Sequence, residues 1–91
     1  MARLISVDKQ ITEKRVFPKN ETFTLEEMYK YTNSTIVEFI YINGHIMVID
    51  EEGKLNNKKV NDVATYYFRK YIKTQDFIVG DVLICEKSEI K

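Results

Sequence analysis

Two strand-like runs joined by Asn43-Gly44 constrain this chain more than any other feature of its sequence. The runs cover residues 36–42 and 45–49, both are rich in isoleucine and valine, and the first also contains Phe39 and Tyr41. Asn-Gly tolerates the positive φ angles of both central residues in a type I′ turn, so the sequence predicts a two-residue β-hairpin. Such a turn also fixes the register. The predicted pairs are Ile42 with His45, Tyr41 with Ile46, Ile40 with Met47, Phe39 with Val48 and Glu38 with Ile49.

Both faces of this predicted hairpin are apolar. A sheet with one solvated face would alternate apolar and polar residues. Here one face carries Val37, Phe39, Tyr41, Ile46 and Val48, and the other carries Ile36, Ile40, Ile42, Met47 and Ile49 around Glu38. We therefore expect the hairpin to lie near the centre of a layered domain or to meet a partner subunit, which would allow a homodimer.

Length and charge restrict the class of protein. A chain of 91 residues suffices for one modest core, so residues 1–91 are predicted to form a single domain. Fourteen basic and fourteen acidic side chains give no net charge, and hence no overall field to attract nucleic acid or anionic lipid. The single cysteine, Cys85, fits a reducing compartment. No apolar run approaches the ~20 residues of a membrane span, and no signal peptide is apparent. We expect a soluble cytoplasmic protein that does not bind membranes.

A first helix is predicted from its start signal. Thr24 and Glu27 have the spacing of a capping box, and Phe23 with Met28 has the spacing of a hydrophobic staple. The helix should end near Asn33, since asparagine tolerates the left-handed conformation that commonly ends a helix.

A second helix is predicted from Asp62 to about Lys73, with Asn61 as its N-cap. Asp62, Arg69, Lys70 and Lys73 should face solvent. The apolar positions recur at intervals of three and four residues, as expected of a face on the core. They are Val63, Ala64, Tyr67, Phe68, Tyr71 and Ile72.

The other apolar runs are typical of strands. Residues 2–7 and 11–17, joined by residues 8–10, predict a first hairpin. Residues 77–85 predict a final strand with a bulge at Gly80, and residues 86–91 should be a frayed tail. The predicted fold class is therefore α+β, with a single mainly antiparallel sheet of about five strands and two helices in the order ββαββαβ.

The sequence offers few groups for catalysis. His45 is the single histidine, and its place beside the hairpin turn is typical of a surface residue. Cys85 lies in an apolar run, where a thiol behaves as a small hydrophobic group. We found no phosphate-binding glycine loop, paired-histidine helix or nucleophilic serine motif. Asp50-Glu51-Glu52 lacks the spacing of a calcium loop and is typical of a solvated turn. We therefore predict a protein that is not an enzyme and has no cofactor or metal.

Two sets of residues are candidates for binding. Residues 51–61 precede the second helix, whose free N–H groups suit an anion; the candidate ligand-binding residues are Glu51, Glu52, Gly53, Lys54 and Asn61. Cations beside tyrosines suit a nucleic acid; the candidates are Lys54, Lys58, Lys59, Arg69, Lys70 and Lys73. Zero net charge favours the alternative in which these lysines are simply solvated and the tyrosines are core.

Two further expectations concern single side chains. Lys58 and Lys59 lie in a predicted loop, where substitution should cost little stability. Glu38 is the one charge on its face of the hairpin. It should reach water at a sheet edge or pair with a cation, because burying it unpaired would be costly.

Four segments together resemble a known family. They are residues 24–28, residues 50–55 with the Glu-Gly-Lys-Leu turn, Asn61 with Ala64-Thr65, and residues 78–85. The pattern resembles a family of uncharacterised proteins of about this length, classed as a domain of unknown function and encoded by gut bacteria, their phages and their mobile elements. Family members usually have Gly-Gly where this chain has Asn33-Ser34. The resemblance covers nearly the whole chain and implies an accessory protein of a mobile element, with no known activity.

These observations give an expected function and two alternatives. We expect a small non-catalytic interaction module that binds a protein partner still to be identified, as an accessory protein of a phage or mobile element. A nucleic-acid-binding protein that uses the cations around the second helix is the alternative. A binder of a small anionic ligand is the third.

Overall fold

An antiparallel sheet lies between two helices in this protein. The computed structural model describes residues 2–7 and 13–90. Within these residues the sheet has five strands in the order β2-β1-β5-β4-β3, and each neighbouring pair is antiparallel. The predicted fold class and element order are confirmed. The elements are β1 (Ala2–Ile5), β2 (Glu13–Val16), α1 (Leu25–Thr32), β3 (Val37–Ile42), β4 (His45–Asp50), α2 (Asp62–Tyr71), β5 (Val82–Glu86) and the 3₁₀ helix η1 (Lys87–Glu89).

The two helices cover opposite faces of the sheet. Met28 of α1 belongs to a core cluster that includes Ile46 and Val48 of β4. Ala64 and Phe68 of α2 belong to a second cluster, which includes the intervening Met47. Alternate residues of one strand therefore enter different cores. This explains why both faces of the hairpin are apolar, since one chain covers both faces by itself.

The predicted hairpin register is confirmed, but its predicted position is wrong. All five expected pairs occur, and Asn43 and Gly44 have the positive φ angles of 50° and 76°. However, β3 lies at one edge of the described sheet and β5 lies at its centre. The final strand inserts between β1 and β4, so it separates the two hairpins. The apolar faces reflect a helix on each side rather than a central position.

The predicted signals of α1 are confirmed. Thr24 Oγ1 accepts a hydrogen bond from Glu27 N at 3.1 Å, and Glu27 Oε1 accepts one from Thr24 N at 3.0 Å, which completes the capping box. At the other end Asn33 adopts the left-handed conformation with φ 53°. Ser34 N donates to Tyr29 O at 2.9 Å, so the helix closes with a Schellman motif.

The helix α2 differs in part from its prediction. Asn61 is the N-cap as expected, but the helix ends at Tyr71 because Ile72 is already extended, with φ −117° and ψ 112°. Val63 and Tyr71, predicted to face the core, are exposed, whereas Thr65 is buried. The hydroxyl of Thr65 accepts from Ile78 N at 2.9 Å and lies 3.2 Å from Ile78 O. A polar side chain can therefore occupy the core face, because the neighbouring backbone satisfies it.

The structure of residues 77–90 contradicts two predictions. The expected strand over residues 77–85 is interrupted at Gly80, which has a φ of 77°, and β5 begins only at Val82. The tail over residues 86–90 is not frayed. Phe23 N donates to Glu89 O at 2.7 Å, and Ile90 forms a bridge with Phe23. These contacts join segments far apart in sequence, so no local signal announces them.

In the first hairpin, β1 and β2 pair as expected, while its predicted turn at residues 8–10 lies outside the described residues. Among the described residues, no helix is long and apolar enough to cross a membrane.

Candidate functional site

Lys58, a candidate nucleic-acid contact, joins α1 to β4. Its Nζ lies 2.6 Å from Asp50 Oδ2 and donates to the carbonyl oxygens of Thr32 and Asn33 at 3.1 and 2.6 Å. The side chain of Lys58 is 17% exposed and that of Asp50 is 3% exposed. A cation is favoured here because carbonyl groups at a helix C-terminus carry partial negative charge. Lys58 is therefore not simply solvated, and we expect its replacement to cost more stability than the sequence predicts.

Two more of the candidate cations hold the segment between α2 and β5. Lys54 Nζ pairs with the Asp76 carboxylate and lies 4.5 Å from the centre of the Phe77 ring. The hydrogen bond from Lys54 holds the pKa of Asp76 below its usual value. Arg69 donates from Nε to Asp76 O at 2.9 Å and from Nη2 to Gln75 O at 2.8 Å. The six candidates are thus divided, since Lys54, Lys58 and Arg69 connect chain segments while Lys59, Lys70 and Lys73 are exposed.

The loop that contains the candidate ligand residues is packed against the fold. Glu51 and Glu52 are exposed, but Gly53 is buried. A Cβ atom added to Gly53 would lie 2.8 Å from Val79 Cγ2, so only glycine fits without rearrangement. Lys58 N donates to Gly53 O at 3.0 Å and closes the loop.

Asn61, the last candidate ligand residue, fastens three parts of the chain. Its side-chain Nδ2 donates to Ile5 O and to Gly80 O, each at 2.9 Å. Its Oδ1 accepts from Ala64 N at 3.0 Å and caps α2. The residue is 1% exposed. The amide is therefore committed to joining β1, α2 and the segment before β5.

Two of the candidate ligand residues line a cavity of about 350 Å³ beside β3. Glu51 and Lys54 lie at it together with Glu38 and Asp76, above an apolar floor that includes Phe68. Carboxylates outnumber the single lysine, and that lysine is already paired with Asp76. The cavity is consequently unfavourable for an anion. Glu38 is exposed on the edge strand β3, as in the first of the two expectations, that it reaches water at a sheet edge.

A second cavity, here called the α2 groove, was not anticipated from the sequence. It has a volume of about 320 Å³ and lies between α2 and the ends of β1, β2 and β4. Tyr66 is 72% exposed there. The groove is lined by Arg3, Ile5, Glu13, Asn43, His45, Val63, Tyr66, Tyr67, Lys70 and Tyr71.

A sequence signal for the α2 groove exists. Residues 63, 66, 67, 70 and 71 recur at intervals of three and four, so they form a stripe along α2. A second stripe, at residues 64, 68 and 72, packs in the core. The sequence-based prediction merged the two stripes into one apolar face. They are distinguished only when the sheet shows which of them it covers.

The groups in the α2 groove are already ordered by contacts with one another. Arg3 Nη1 lies 2.9 Å from Glu13 Oε1. Lys70 Nζ lies 5.7 Å from the centre of the Tyr71 ring, and Tyr71 packs edge-on against Tyr67 with ring centres 5.3 Å apart. Aromatic rings with neighbouring cations are suited to recognition of a partner surface.

The two residues considered for catalysis, His45 and Cys85, lie in different parts of the fold: His45 lines the α2 groove, and Cys85 is buried. His45 Nδ1 lies 3.0 Å from Asn43 O, at the hairpin turn. Burial raises the pKa of the Cys85 thiol to about 12, which keeps it protonated at neutral pH. Within residues 2–7 and 13–90, no group of three or more His, Cys, Asp or Glu side chains is arranged to hold a metal ion.

Comparison with known proteins identifies a family. Searches of curated proteins and of solved structures gave no match. A family model matches residues 3–90. The match spans nearly the whole chain, as the sequence resemblance implied. The chain therefore belongs to the family described as Domain of unknown function (DUF3846).

Proposed function

We propose that this protein is a small non-catalytic interaction module that binds a partner protein through the α2 groove. The observation that carries this proposal is the stripe of residues along α2 that lines the groove, in which Tyr66 is 72% exposed. Tyrosine and arginine are enriched at protein interfaces, because they bury a large area while keeping a polar end for hydrogen bonds. The paired Arg3 and Glu13 supply a polar rim.

The proposal of a non-catalytic role has separate support. His45 is the single histidine, and it bonds to the backbone of its own turn. Cys85 is buried with a raised pKa. General acid-base or nucleophilic catalysis needs a titrating group placed next to a second group that it can activate. The α2 groove contains His45 together with rings, an ion pair and one lysine, and the His45 ring bonds to the backbone of Asn43 rather than to a nucleophile.

We further propose that the module is an accessory protein of a phage or mobile element and acts in the cytoplasm. The family resemblance supports the genomic setting. A single cysteine, kept as a free buried thiol, fits a reducing compartment. The genes beside those of family members test the setting. Recurrent phage or transfer genes would support it, and recurrent biosynthetic operons would contradict it.

The experiment for the main proposal is capture of partners from the host cell with tagged protein. We expect the double variant Tyr66→Ser, Tyr71→Ser to capture at least about tenfold less partner than the wild type, since aromatic side chains dominate interface energies. Leu55→Ser is the matched control, because Leu55 is exposed on a loop outside the α2 groove. Retention of the partner by the groove variant, or its loss with the control, would contradict the proposal.

A nucleic-acid-binding role is the second candidate. The observation in its favour is that Lys70 lies beside Tyr66 and Tyr71, so a cation adjoins rings on which bases stack. It ranks second because Arg3 is already paired and the chain has no net charge. Binding of a small anionic ligand ranks third, because carboxylates dominate the cavity beside β3.

A further inference from the structure

The two edges of the described sheet differ in how they are protected. Proteins usually protect an edge strand with charges, shortness or proline, since its unpaired backbone groups invite another strand. The edge strand β2 has four residues, and Glu13, Lys14 and Arg15 are charged and exposed. The edge strand β3 has six residues and a single charge, Glu38. One edge is therefore protected and the other is open to pairing.

The hydrogen-bonding phase of β3 shows which residues face its open edge. A two-residue turn makes Ile42 and His45 a hydrogen-bonded pair, and such pairs alternate along an antiparallel ladder. The same phase continues past the strand, where Glu51 N donates to Ile36 O at 3.1 Å. The even-numbered residues of β3 thus bond to β4. Val37, Phe39 and Tyr41 direct their N–H and C=O groups to the open edge.

We propose that β3 pairs with β3 of a second copy of this chain, antiparallel and centred on Phe39. In this register Phe39 lies opposite Phe39 of the second copy. Val37 of each copy lies opposite Tyr41 of the other. Pairs between aromatic rings, and between an aromatic and a β-branched residue, are among the favourable cross-strand pairs. The sequence around Phe39 is therefore complementary to itself, as a two-fold interface requires.

The charged residues of β2 make it a less favourable partner for β3 than the β3 strand of a second copy. Pairing β3 with β2 of a second copy would place three consecutive charges beside Val37, Phe39 and Tyr41. Such head-to-tail pairing would also leave a free β2 edge at one end and a free β3 edge at the other, so further copies could add in the same way and form an open filament. In the proposed register Glu38 lies opposite Ile40, so no like charges face each other. The β3 edge of a second copy is therefore the apolar partner of β3. Because this pairing uses the β3 edge of both chains, the assembly stops at a dimer.

The small number of residues in the β3–β3 interface sets the expected affinity of the dimer. A stable interface usually takes about 20 to 30 residues from each side, and β3 supplies six. We therefore expect a dimer that dissociates in the micromolar range, with mass rising from 10.8 kDa towards twice that value as concentration increases.

Sedimentation tests the proposal with the purified full chain. Tyr41 is 65% exposed, and we expect Tyr41→Lys to weaken dimerisation at least about tenfold, because lysine on an edge strand disfavours pairing. Leu55→Lys is the control, since Leu55 is 78% exposed but lies on a loop outside β3. A wild-type monomer at high micromolar concentration would overturn the proposal. So would a dimer that Tyr41→Lys leaves intact.

Cysteine cross-linking tests the register. Opposed Cα atoms in a hydrogen-bonded antiparallel pair lie ~5.5 Å apart, within the range that a disulfide spans. We expect Phe39→Cys to cross-link under mild oxidation, and Val37→Cys with Tyr41→Cys to do so if Phe39→Cys unfolds. Tyr41→Cys alone should not, because its two Cα atoms would lie more than ~13 Å apart. Efficient cross-linking of Tyr41→Cys alone, or none in the first two variants, would overturn the register.

Discussion

At the scale of single residues, the ion pair between Lys58 and Asp50 could not be predicted from the sequence. The neighbours of Lys58 in sequence are polar, and nothing local separates it from Lys59. The fold brings Asp50 and the end of α1 to Lys58 alone. A lysine in a polar run is predicted to be solvated, so a buried ion pair between distant positions has no sequence signal.

The first prediction compares these two lysines. Lys58→Ala should destabilise the fold by about 3 kcal/mol, because it leaves the Asp50 carboxylate buried without its cation. Lys59→Ala should change the free energy of unfolding by less than about 0.5 kcal/mol, as is usual at exposed positions. Urea denaturation measures both. Equal stabilities for the two variants would show that the Asp50 pair is not structural.

The second prediction concerns Asn61. Asn61→Ala should cost about 3 kcal/mol, because it removes a helix cap and leaves the buried carbonyl groups of Ile5 and Gly80 without a donor. Asn61→Asp keeps the cap but turns an oxygen towards those carbonyls, so it should be no more stable than the alanine variant. Thermal unfolding distinguishes them. A stable aspartate variant would mean that the cap alone matters.

Asn61 also explains part of the family resemblance. The residues that carry it include Asn61, Ala64-Thr65 and the segment from Ile78. In the structure Asn61 bonds to Gly80, and Thr65 bonds to Ile78. In this part of the pattern, Asn61 and Thr65 therefore hold the segment before β5 against the rest of the fold.

At the scale of elements, local signals predicted well. The hairpin register follows from the turn geometry, and the start of α1 follows from four residues around Thr24. Elements held by distant contacts were missed. The short helix η1 was missed although Glu89 Oε1 accepts from Glu86 N at 2.9 Å, as in a capping box, and the bond from Phe23 to Glu89 also holds it in place.

The third prediction concerns pH and the capping box. Hydrogen bonds to Glu27, chiefly from Thr24 N, lower the pKa of its carboxyl below the ordinary 4.5. The folded state therefore binds this proton less readily than the unfolded state. Its contribution to stability is complete above pH 4.5 and is lost as pH falls through the lowered value. Denaturation midpoints between about pH 6 and pH 2 measure this loss.

The matched variant is Glu27→Gln, which keeps an oxygen at the same position but does not titrate. It should lose less stability than the wild type over the acid range. If both proteins lose the same amount, the capping box does not contribute to acid sensitivity.

At the scale of the whole molecule, the sheet decides which surfaces remain free. The sequence predicted two helices but not that they take opposite faces of the sheet. That arrangement removes the reason for a dimer through the faces and leaves the α2 groove exposed. Two interleaved stripes on one helix cannot be separated without the position of the sheet.

The fourth prediction ranks the two leading functions. We expect the wild type to bind oligonucleotides no more tightly than the non-specific range of about 10⁻⁴ to 10⁻⁶ M. Fluorescence anisotropy over a salt series measures this. Submicromolar, salt-sensitive binding that disappears in Lys70→Glu with Lys73→Glu would place the nucleic-acid function first. Those two exposed lysines are used because replacing Lys58 would also damage the fold.

The central claim is that a partner protein binds the α2 groove. Hydrogen–deuterium exchange of the full chain, alone and with the captured partner, tests it most directly. We predict slower exchange in α2 and β1, which border the groove, with little change in the loop over residues 51–57. Protection confined to that loop, with unchanged exchange in α2, would contradict the claim.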